Sequence, residues 1–314
     1  MGTAAGTDVR WSEQPVTVEV PASAANLGPG FDSFGLALSL RDRVEVEATS
    51  SGLEVEVDGA GAEDVPRDES HLFVRAMYAA FDALGARPGG LRLRCRNRVP
   101  HGRGLGSSAA AIVAGLVAAR ELARRSGAPT DALDDAALLQ LATDLESHPD
   151  NIAAALLGGF TVAWWGRDRV RAVRLEPDVS VLVVVPADSV PTAVTRQLLP
   201  DQVSHRDAAA NSARAGLLVA AMTGLPELLH AATEDRLHQD YREPALPASL
   251  RLVRTLRAAG HAAVVSGAGP AVLVLRGGAD GPPGGELTDV LAAEAPGWTP
   301  LPLDADLVGA RVLP

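Results

Sequence analysis

The sequence predicts a two-domain α+β protein, because strand-like and helix-like segments are intermixed without the regular alternation of a doubly wound parallel sheet. Val16, Val18 and Val20 alternate with other residues, as expected for a half-buried strand. Residues 71–84 instead carry apolar side chains at helical spacing and end before Gly85. Several antiparallel hairpins further along the chain, with no repeated βαβ unit, favour the same class.

The other elements follow from the same two periods and from the turns that flank them. The predicted strands are a hairpin of residues 44–46 and 53–57 about a turn at 50–52, residues 91–99, 160–165 and 179–185, and a second hairpin of residues 262–265 and 271–275. The predicted helices are residues 108–125, 134–145, 151–157, 208–223 and 250–259. The charged segment 166–177 interrupts this pattern and divides the chain into domains 1–170 and 171–314.

The charge balance argues against two classes of partner. A net charge of -11 disfavours nucleic acid and anionic membrane surfaces, because both attract clustered positive charge. The arginines of residues 92–98 alternate with Leu91, Leu93 and Cys95, which predicts the solvated face of a strand rather than a binding patch. The chain shows neither a signal peptide nor an apolar run long enough to cross a bilayer, so we expect a cytoplasmic protein.

The chain contains no lysine, since all 28 of its Lys+Arg residues are arginine. P-loop and protein-kinase sites each need a lysine against the phosphates, and Schiff-base enzymes need one as the imine partner. The single cysteine, Cys95, excludes an internal disulfide and a cysteine-rich metal site. A nucleotide would therefore have to be held by backbone amides, arginine and a metal ion.

The strongest local signal is the glycine loop, residues 100–110, which leads into a predicted helix. Gly102, Gly104 and Gly106 let the backbone approach a ligand closely, and the N-terminus of the helix offers unpaired N–H groups. Ser107 and Ser108 are placed to cap that helix, and one hydroxyl could also reach a magnesium ion. The pattern favours a triphosphate site over an ordinary capped turn.

A second signal is the N-terminal motif, residues 21–35, which follows the first strand. Asn26 and Asp32 are short polar groups in a tight Gly/Pro loop, and they suit a cationic amine or a hydroxyl. An ordinary turn with Asx hydrogen bonding explains them equally well.

Two further segments carry polar groups. Glu146, His148 and Asp150 suit a magnesium ligand, a substrate contact and an acceptor for a hydroxyl proton, with helix capping as the simpler alternative. The glycine turn, residues 266–270, either closes over phosphates or only joins two strands.

Together these segments resemble the three motifs of the GHMP kinases, in the family's order and over residues 16–275. The N-terminal motif reads Ala-Ser-Ala-Ala-Asn-Leu-Gly-Pro-Gly-Phe-Asp and resembles the branch that phosphorylates L-homoserine, whereas mevalonate-type members usually carry a lysine and Gly-Glu-His there. The resemblance implies transfer of a phosphoryl group from ATP to the side-chain hydroxyl of L-homoserine, on the route to threonine. It also implies an N-terminal domain like ribosomal protein S5 domain 2 and a ferredoxin-like C-terminal domain.

The resemblance further implies a role for each matching residue. The acceptor-binding residues would be Asn26, Asp32, His148, Asp150, Arg196 and Arg242. The expected catalytic residues are Asp150, Glu146 and Arg196, with Ser108 and Glu146 as ligands of Mg²⁺. The phosphate-binding residues would be Pro100, His101, Gly102, Arg103, Gly104, Leu105, Gly106, Ser107, Ser108, Ala109, Ala110, Gly267 and Gly269. Arginine suits the carboxylate of an amino acid because its guanidinium can pair with both oxygens.

Three other functions on the same scaffold stay open at this point. They are a kinase for another amino alcohol or a sugar, a diphosphomevalonate decarboxylase, and a ligand sensor without activity. The presence of Glu146, Asp150, Gly106 and Ser108 favours an enzyme over a sensor. A homodimer is expected only by analogy with the family.

Overall fold

The computed structural model describes residues 9–278 and 284–314, which form an α+β fold on two sheets and so confirm the predicted class. The strands are β1 Val16–Ala25, β2 Phe34–Thr49, β3 Gly52–Gly59, β4 Gly90–Asn97, β5 Phe160–Trp165, β6 Val170–Leu175, β7 Val179–Val185, β8 Ala262–Val265, β9 Val272–Gly277, β10 Thr299–Asp304 and β11 Arg311–Val312. The helices are α1 Leu72–Leu84, α2 Ser107–Arg125, α3 Asp135–Glu146, α4 Pro149–Leu157, α5 Thr192–Arg196, α6 His205–Met222, α7 Leu229–Ala232, α8 Pro247–Ala258 and α9 Gly285–Glu294. Short 3₁₀ turns lie at Asp131–Leu133, Pro226–Leu228 and Asp240–Arg242.

The larger sheet has the strand order β11-β1-β2-β4-β3, with β5 paired to β2 and β6 paired to β5. The predicted hairpin of residues 44–46 and 53–57 is wrong, because β4 lies between β2 and β3. The observed order also avoids contact between like charges. A direct hairpin would set the glutamates of β2 beside those of β3, and like charges on neighbouring strands repel. In the observed order Arg92 of β4 pairs with both Glu47 and Glu54.

The smaller sheet has the order β10-β7-β9-β8, and all its neighbouring strands are antiparallel. The predicted hairpin of residues 262–265 and 271–275 is confirmed, since Val265 pairs with Val272 across the glycine turn. Cys95 faces the core of the larger sheet, as predicted, and burial raises the pKa of its thiol to about 12.

The two sheets meet where the sequence motifs lie. The first strand is longer than predicted and runs on to Ala25, into the N-terminal motif. There Ser23 N donates to Leu105 O of the glycine loop at 3.0 Å, and Gly267 N of the glycine turn donates to Ala25 O at 3.0 Å. The end of β1 therefore positions both glycine-rich segments beside each other.

The division of the chain at residue 170 stays a prediction. In the structure β6 begins at Val170 and pairs with β5 of the larger sheet, and β11 returns to the same sheet beside β1. Among residues 9–278 and 284–314 there is no helix with the length and apolar character needed to cross a membrane.

Candidate active site

The glycine loop has the backbone conformation that its glycines predict. Gly102, Gly104 and Gly106 have φ values of 65°, 76° and 67°, in the left-handed region that favours glycine. A Cβ on Gly104 would lie 2.2 Å from Ser266 O, and one on Gly106 would lie 2.1 Å from Ser23 Oγ. The loop is therefore pressed between β1 and the glycine turn, where a side chain at either position would not fit.

Helix α2 begins at Ser107, and Gly106 occupies the capping position without a side-chain cap. The expectation that Ser107 or Ser108 caps this helix is wrong, because Gly106 turns the chain into the helix by its left-handed conformation. Ser108 Oγ instead donates to Glu146 Oε2 at 2.5 Å. The first turn of α2 thus keeps N–H groups available to an anion.

Glu146 is the last residue of α3 and faces the start of α2 across this hydrogen bond. Burial raises the pKa of the Glu146 carboxyl, and the Ser108 hydroxyl partly opposes that shift. Across the described ranges, no group of three or more His, Cys, Asp or Glu side chains is placed to hold a metal ion. Ser108 and Glu146 therefore offer one hydroxyl and one carboxylate.

Arg103 belongs to the glycine loop, but its side chain turns toward the second half of the chain. Its guanidinium donates to Pro186 O at 3.1 Å, to His101 O at 2.8 Å and to Ala187 O. The guanidinium therefore ties the loop to the end of β7, although the sequence predicts it among the phosphate-binding residues.

A cavity of about 170 Å³ lies beside the glycine loop, and its lining is mostly apolar. The lining residues are Val20, Asp42, Val44, Val65, Pro66, Ser70, His71, Leu72, Phe73, Cys95, Asn97, His101, Ser107, Ser108, Ala110, Ala111 and Ala114. Sequence reasoning missed most of this set, because its members come from several separate elements. His101, Ser107, Ser108 and Ala110 are the part that the motif predicts.

The second half of the site begins at Asn26, whose backbone φ of 68° is left-handed. Its side-chain amide donates to Gly267 O at 2.8 Å, and its side-chain oxygen accepts from Asp32 N at 3.0 Å. Asn26 therefore joins the N-terminal motif to the glycine turn and fixes the backbone at Asp32.

Asp32 and Arg196 form a two-point ion pair, with Nη1 3.0 Å from Oδ2 and Nη2 2.6 Å from Oδ1. Each of these side chains is 34% exposed, so the pair lies at the mouth of the site. The predicted pocket residues therefore meet, although 164 positions separate them along the chain.

Arg242 forms the floor and is only 1% exposed. Its Nη1 donates to Gly267 O at 2.9 Å, whereas its Nε is a buried donor without a partner among the described residues. Burial, and then the charge of Arg196, lower the pKa of Arg242 to about 10, so the guanidinium stays charged at neutral pH.

Asp150 lies in the first turn of α4 and is fully enclosed. Burial raises the pKa of Asp150 to about 7, and the charges of Asp32 and Arg196 also act on it. His148 precedes α4 and is half-buried, and burial followed by the charge of Arg196 lowers its pKa. The charges of Asp32 and Arg196 thus act on both Asp150 and His148.

A chain of two hydrogen bonds joins the two halves of the site. Ser23 Oγ, which also packs against Gly106, donates to Asn151 Oδ1 at 2.9 Å, and Asn151 N donates to Asp150 Oδ1 at 2.7 Å. The carboxyl of Asp150 is thus linked to the glycine loop through two residues. The role of Asn151 has no signal in the sequence, since an asparagine near the start of a helix is common.

Comparison with known proteins first gives the class of protein to which this fold belongs. Residues 71–159 match the family model described as GHMP kinases N terminal domain. The crystal structure of homoserine kinase from Cytophaga hutchinsonii superposes with a TM-score of 0.81 and 24% identity, covering 97% of this chain and 99% of that one. The L. major mevalonate kinase structure gives a TM-score of 0.67 at 17% identity, with 93% and 96% covered. The fold is that of the GHMP kinases.

Sequence similarity then defines the family. The homoserine kinase of Streptomyces avermitilis is 54% identical over 301 residues, which cover 95% of this chain and 96% of the relative. The homoserine kinase of Streptomyces coelicolor is also 54% identical, with 95% and 94% covered. This chain belongs to the homoserine kinase family.

Proposed function

We propose that the chain transfers the γ-phosphoryl group of ATP to the side-chain hydroxyl of L-homoserine, giving O-phospho-L-homoserine and ADP. The observation that carries the acceptor assignment is the paired charge at one end of the site. Asp32 and Arg196 face each other at the mouth, and Arg242 lies beneath them with its Nε unpaired. An α-amino acid carries a cation and an anion on one carbon, and these three side chains are complementary to both.

The unpaired donors favour the carboxylate as the anchor. Asp32 pairs with Arg196, whereas Arg242 donates to Gly267 O, and the Nε atoms of both arginines are buried without a partner among the described residues. A carboxylate on Arg242 and Arg196 would pair with these donors through charge-assisted hydrogen bonds, and the ammonium group would replace a guanidinium at Asp32.

Asp150 is the residue assigned to the hydroxyl. A carboxylate with a pKa near 7 can accept the hydroxyl proton as the oxygen attacks phosphorus and ADP departs. Phosphoryl transfer through a loose transition state depends mainly on positioning and charge neutralisation, so a hydrogen bond that orients the hydroxyl contributes as well. His148, whose pKa is lowered by burial, is a neutral neighbour that orients the acceptor.

The glycine loop and α2 are assigned to ATP. Left-handed glycines and the free N–H groups of the first helical turn suit the phosphates, and the largely apolar 170 Å³ cavity beside them suits the adenine ring. This arrangement explains how a chain without lysine can hold a triphosphate.

Ser108 and Glu146 fit a magnesium ion. Mg²⁺ is usually bound by one or two protein carboxylates together with substrate phosphates, and this pair supplies one carboxylate and one hydroxyl. When bound, the ion supplies positive charge against the phosphate oxygens. Burial disfavours an isolated charge on Glu146, so a cation there would stabilise the ionised carboxylate.

The acceptor assignment can be tested with three compounds that differ by one group. ADP release should be fastest with L-homoserine. 3-Aminopropan-1-ol lacks the carboxylate and 4-hydroxybutanoate lacks the amine, so each should lose at least about 30-fold in kcat/KM, since one charge-assisted contact contributes about 2 kcal/mol. Mevalonate and galactose, which are acceptors of related kinases, are included in the same assay for comparison. Equal turnover of L-homoserine and 3-aminopropan-1-ol would contradict the carboxylate clamp.

Three expectations about the protein in the cell remain predictions. They are the cytoplasmic location, the homodimer, and the absence of nucleic-acid and membrane partners. Size-exclusion chromatography with light scattering tests the homodimer directly.

A further inference from the structure

Phe31 lies in the N-terminal motif directly before Asp32, and three nitrogen-bearing side chains surround its ring. The imidazole of His238 stacks on it, with centroids 5.1 Å apart and an angle of 24° between the rings. The Cζ atoms of Arg196 and Arg242 lie 5.3 Å and 5.7 Å from the Phe31 centroid. Both distances are within the range in which a guanidinium is attracted to an aromatic face.

The same three side chains carry unpaired buried nitrogens. Within residues 9–278 and 284–314, the buried side-chain atoms without a hydrogen-bond partner are Ser180 Oγ, Arg196 Nε, His238 Nδ1, Arg242 Nε and His261 Nε2. Three of these five belong to the side chains that contact Phe31. Buried polar atoms are normally paired, so a cluster of unpaired ones around one ring indicates that a polar ligand completes the pairing.

His238 shows how the cluster is held. Its Nε2 lies 2.8 Å from Gly28 O, so this nitrogen carries the proton and donates to the carbonyl. Burial lowers the pKa of His238 and keeps it neutral, which leaves Nδ1 as an acceptor. His238 thereby connects Phe31 and the backbone at Gly28 to the segment that carries Arg242.

The two guanidiniums need such a support. They repel one another, and the two-point ion pair of Asp32 is with Arg196. The charges of Asp32, Asp235 and Asp150 act on Arg242, but its hydrogen bond among the described residues is to Gly267 O. The negative face of an aromatic ring attracts a cation without offering a hydrogen-bond acceptor. A guanidinium held in this way keeps N–H groups free for a ligand, whereas a second carboxylate would occupy them.

We propose that Phe31 is a positioning residue that holds Arg196 and Arg242 for the α-carboxylate of the acceptor, a role that rests on the proposed function. The ring does not touch the reacting atoms. It orients two guanidiniums, whose unpaired Nε–H groups are donors suited to a carboxylate, and it stacks on His238.

The test compares Phe31→Leu, which removes the aromatic face but fills similar volume, with Phe31→Tyr, which keeps the face. In Phe31→Leu we expect the KM for L-homoserine to rise about tenfold, corresponding to about 1.4 kcal/mol, with kcat and the KM for ATP within about threefold of wild type. Phe31→Tyr should restore the KM for L-homoserine to within about threefold. Phe31→Met, which is flexible and apolar, replaces the leucine variant if that variant does not fold.

Tyr78→Leu is the matched control, because the Tyr78 ring holds Arg87 with Cζ 3.3 Å from the centroid, away from the site. That variant should keep both KM values. An unchanged KM for L-homoserine in Phe31→Leu, or an equal rise in Phe31→Tyr, would overturn the role of the ring. Absence of L-homoserine turnover in the wild type would instead refute the proposed function, and the acceptor identified by the compound panel would then be used in the same comparison.

Discussion

Asp150 and Arg242 are both buried, and burial favours the neutral form of each side chain. It raises the pKa of Asp150 to about 7 and lowers the pKa of Arg242 to about 10. The two side chains differ in charge state at neutral pH because their ordinary pKa values are 3.8 for Asp150 and 12.5 for Arg242. Arg242 stays charged at neutral pH, whereas Asp150 titrates there. Arg242 thus offers a permanent positive charge, whereas Asp150 can take up or release a proton near neutral pH.

Arg242→Met keeps the volume of the side chain but removes its charge. We expect the KM for L-homoserine to rise about 30-fold, because a lost charge-assisted hydrogen bond costs about 2 kcal/mol, while the KM for ATP stays within about threefold. Steady-state kinetics with each substrate varied in turn measure this. Arg254→Met is the control, since exposed Arg254 pairs with Glu243 on the surface and should leave both constants unchanged. A similar KM in Arg242→Met and wild type would remove Arg242 from the site.

Asp150→Asn should increase stability and abolish most activity. The folded-state pKa of Asp150 is about 7 and its ordinary value is 3.8, so the folded state binds the proton more tightly than the unfolded state. The stability contributed by this proton is present at low pH and is lost as the pH rises through 7. Asparagine cannot ionise, so the variant should gain on the order of 2 kcal/mol over wild type at pH 8 and much less at pH 5.

Urea unfolding at the two pH values measures that gain, and initial rates measure the loss of activity. We expect kcat to fall about 100-fold or more, as when a general base is removed. A variant that is no more stable at pH 8 than wild type would mean that Asp150 carries no buried charge.

At the scale of elements, the glycine loop and α2 act as one unit. Gly106 serves as the turn into α2, contacts β1 and faces Asn151 of α4, since a Cβ added to it would lie 2.1 Å from Ser23 Oγ and 3.0 Å from Asn151 Oδ1. The loop is therefore fixed by close packing around glycine as well as by backbone conformation.

Gly106→Ala should disturb nucleotide binding. The left-handed φ of 67° costs a residue with a Cβ about 1 kcal/mol, and the clash with Ser23 must be relieved by moving the loop. We expect the KM for ATP to rise at least about tenfold. Gly127→Ala is the matched control, because Gly127 has φ 75° with nothing within 4 Å of an added Cβ. It should lose about 1 kcal/mol of stability and keep its kinetics, and equal kinetics in both variants would contradict the packing argument.

At the scale of the whole molecule, the site exists only where the two sheets meet. ATP is assigned to the glycine loop and to α2, which packs on the larger sheet, whereas Arg196 and Arg242 come from the second half of the chain. Arg103 bridges them directly, because it extends from the glycine loop to the carbonyls of Pro186 and Ala187 at the end of β7. The segment after β7 then leads to α5 and Arg196.

Arg103→Ala should weaken this connection. The lost hydrogen bonds are expected to lower the free energy of unfolding by about 2 kcal/mol and to raise the KM of both substrates severalfold, since loop and acceptor pocket would no longer be held together. Chemical unfolding and two-substrate kinetics measure the two effects. Exposed Arg75 on α1 provides the control variant Arg75→Ala. A change confined to the KM for ATP would indicate a direct phosphate contact instead.

The sequence by itself determined which side chains are available for chemistry and which local backbone conformations the chain adopts. The glycines of residues 102–106 predict left-handed turns because only glycine adopts them without strain. Strands β5 and β7 are short apolar runs with glycine or proline beside them, and these runs predict their bounds. The absence of lysine excludes whole classes of nucleotide site. These are properties of residue type and near neighbours, so they can be inferred without the fold.

Only the tertiary structure decided which distant residues meet. The order β2-β4-β3 depends on charges and pairing across the sheet, and the Asp32–Arg196 pair joins positions 164 apart. Phe31 lies in the motif that the sequence singles out, but its role has no signal there, and neither do the roles of His238 and Asn151. An aromatic ring, a histidine and an asparagine are ordinary until their partners are known. Most of the cavity beside the glycine loop could not be predicted either, since its walls come from strands and helices that the chain brings together only on folding.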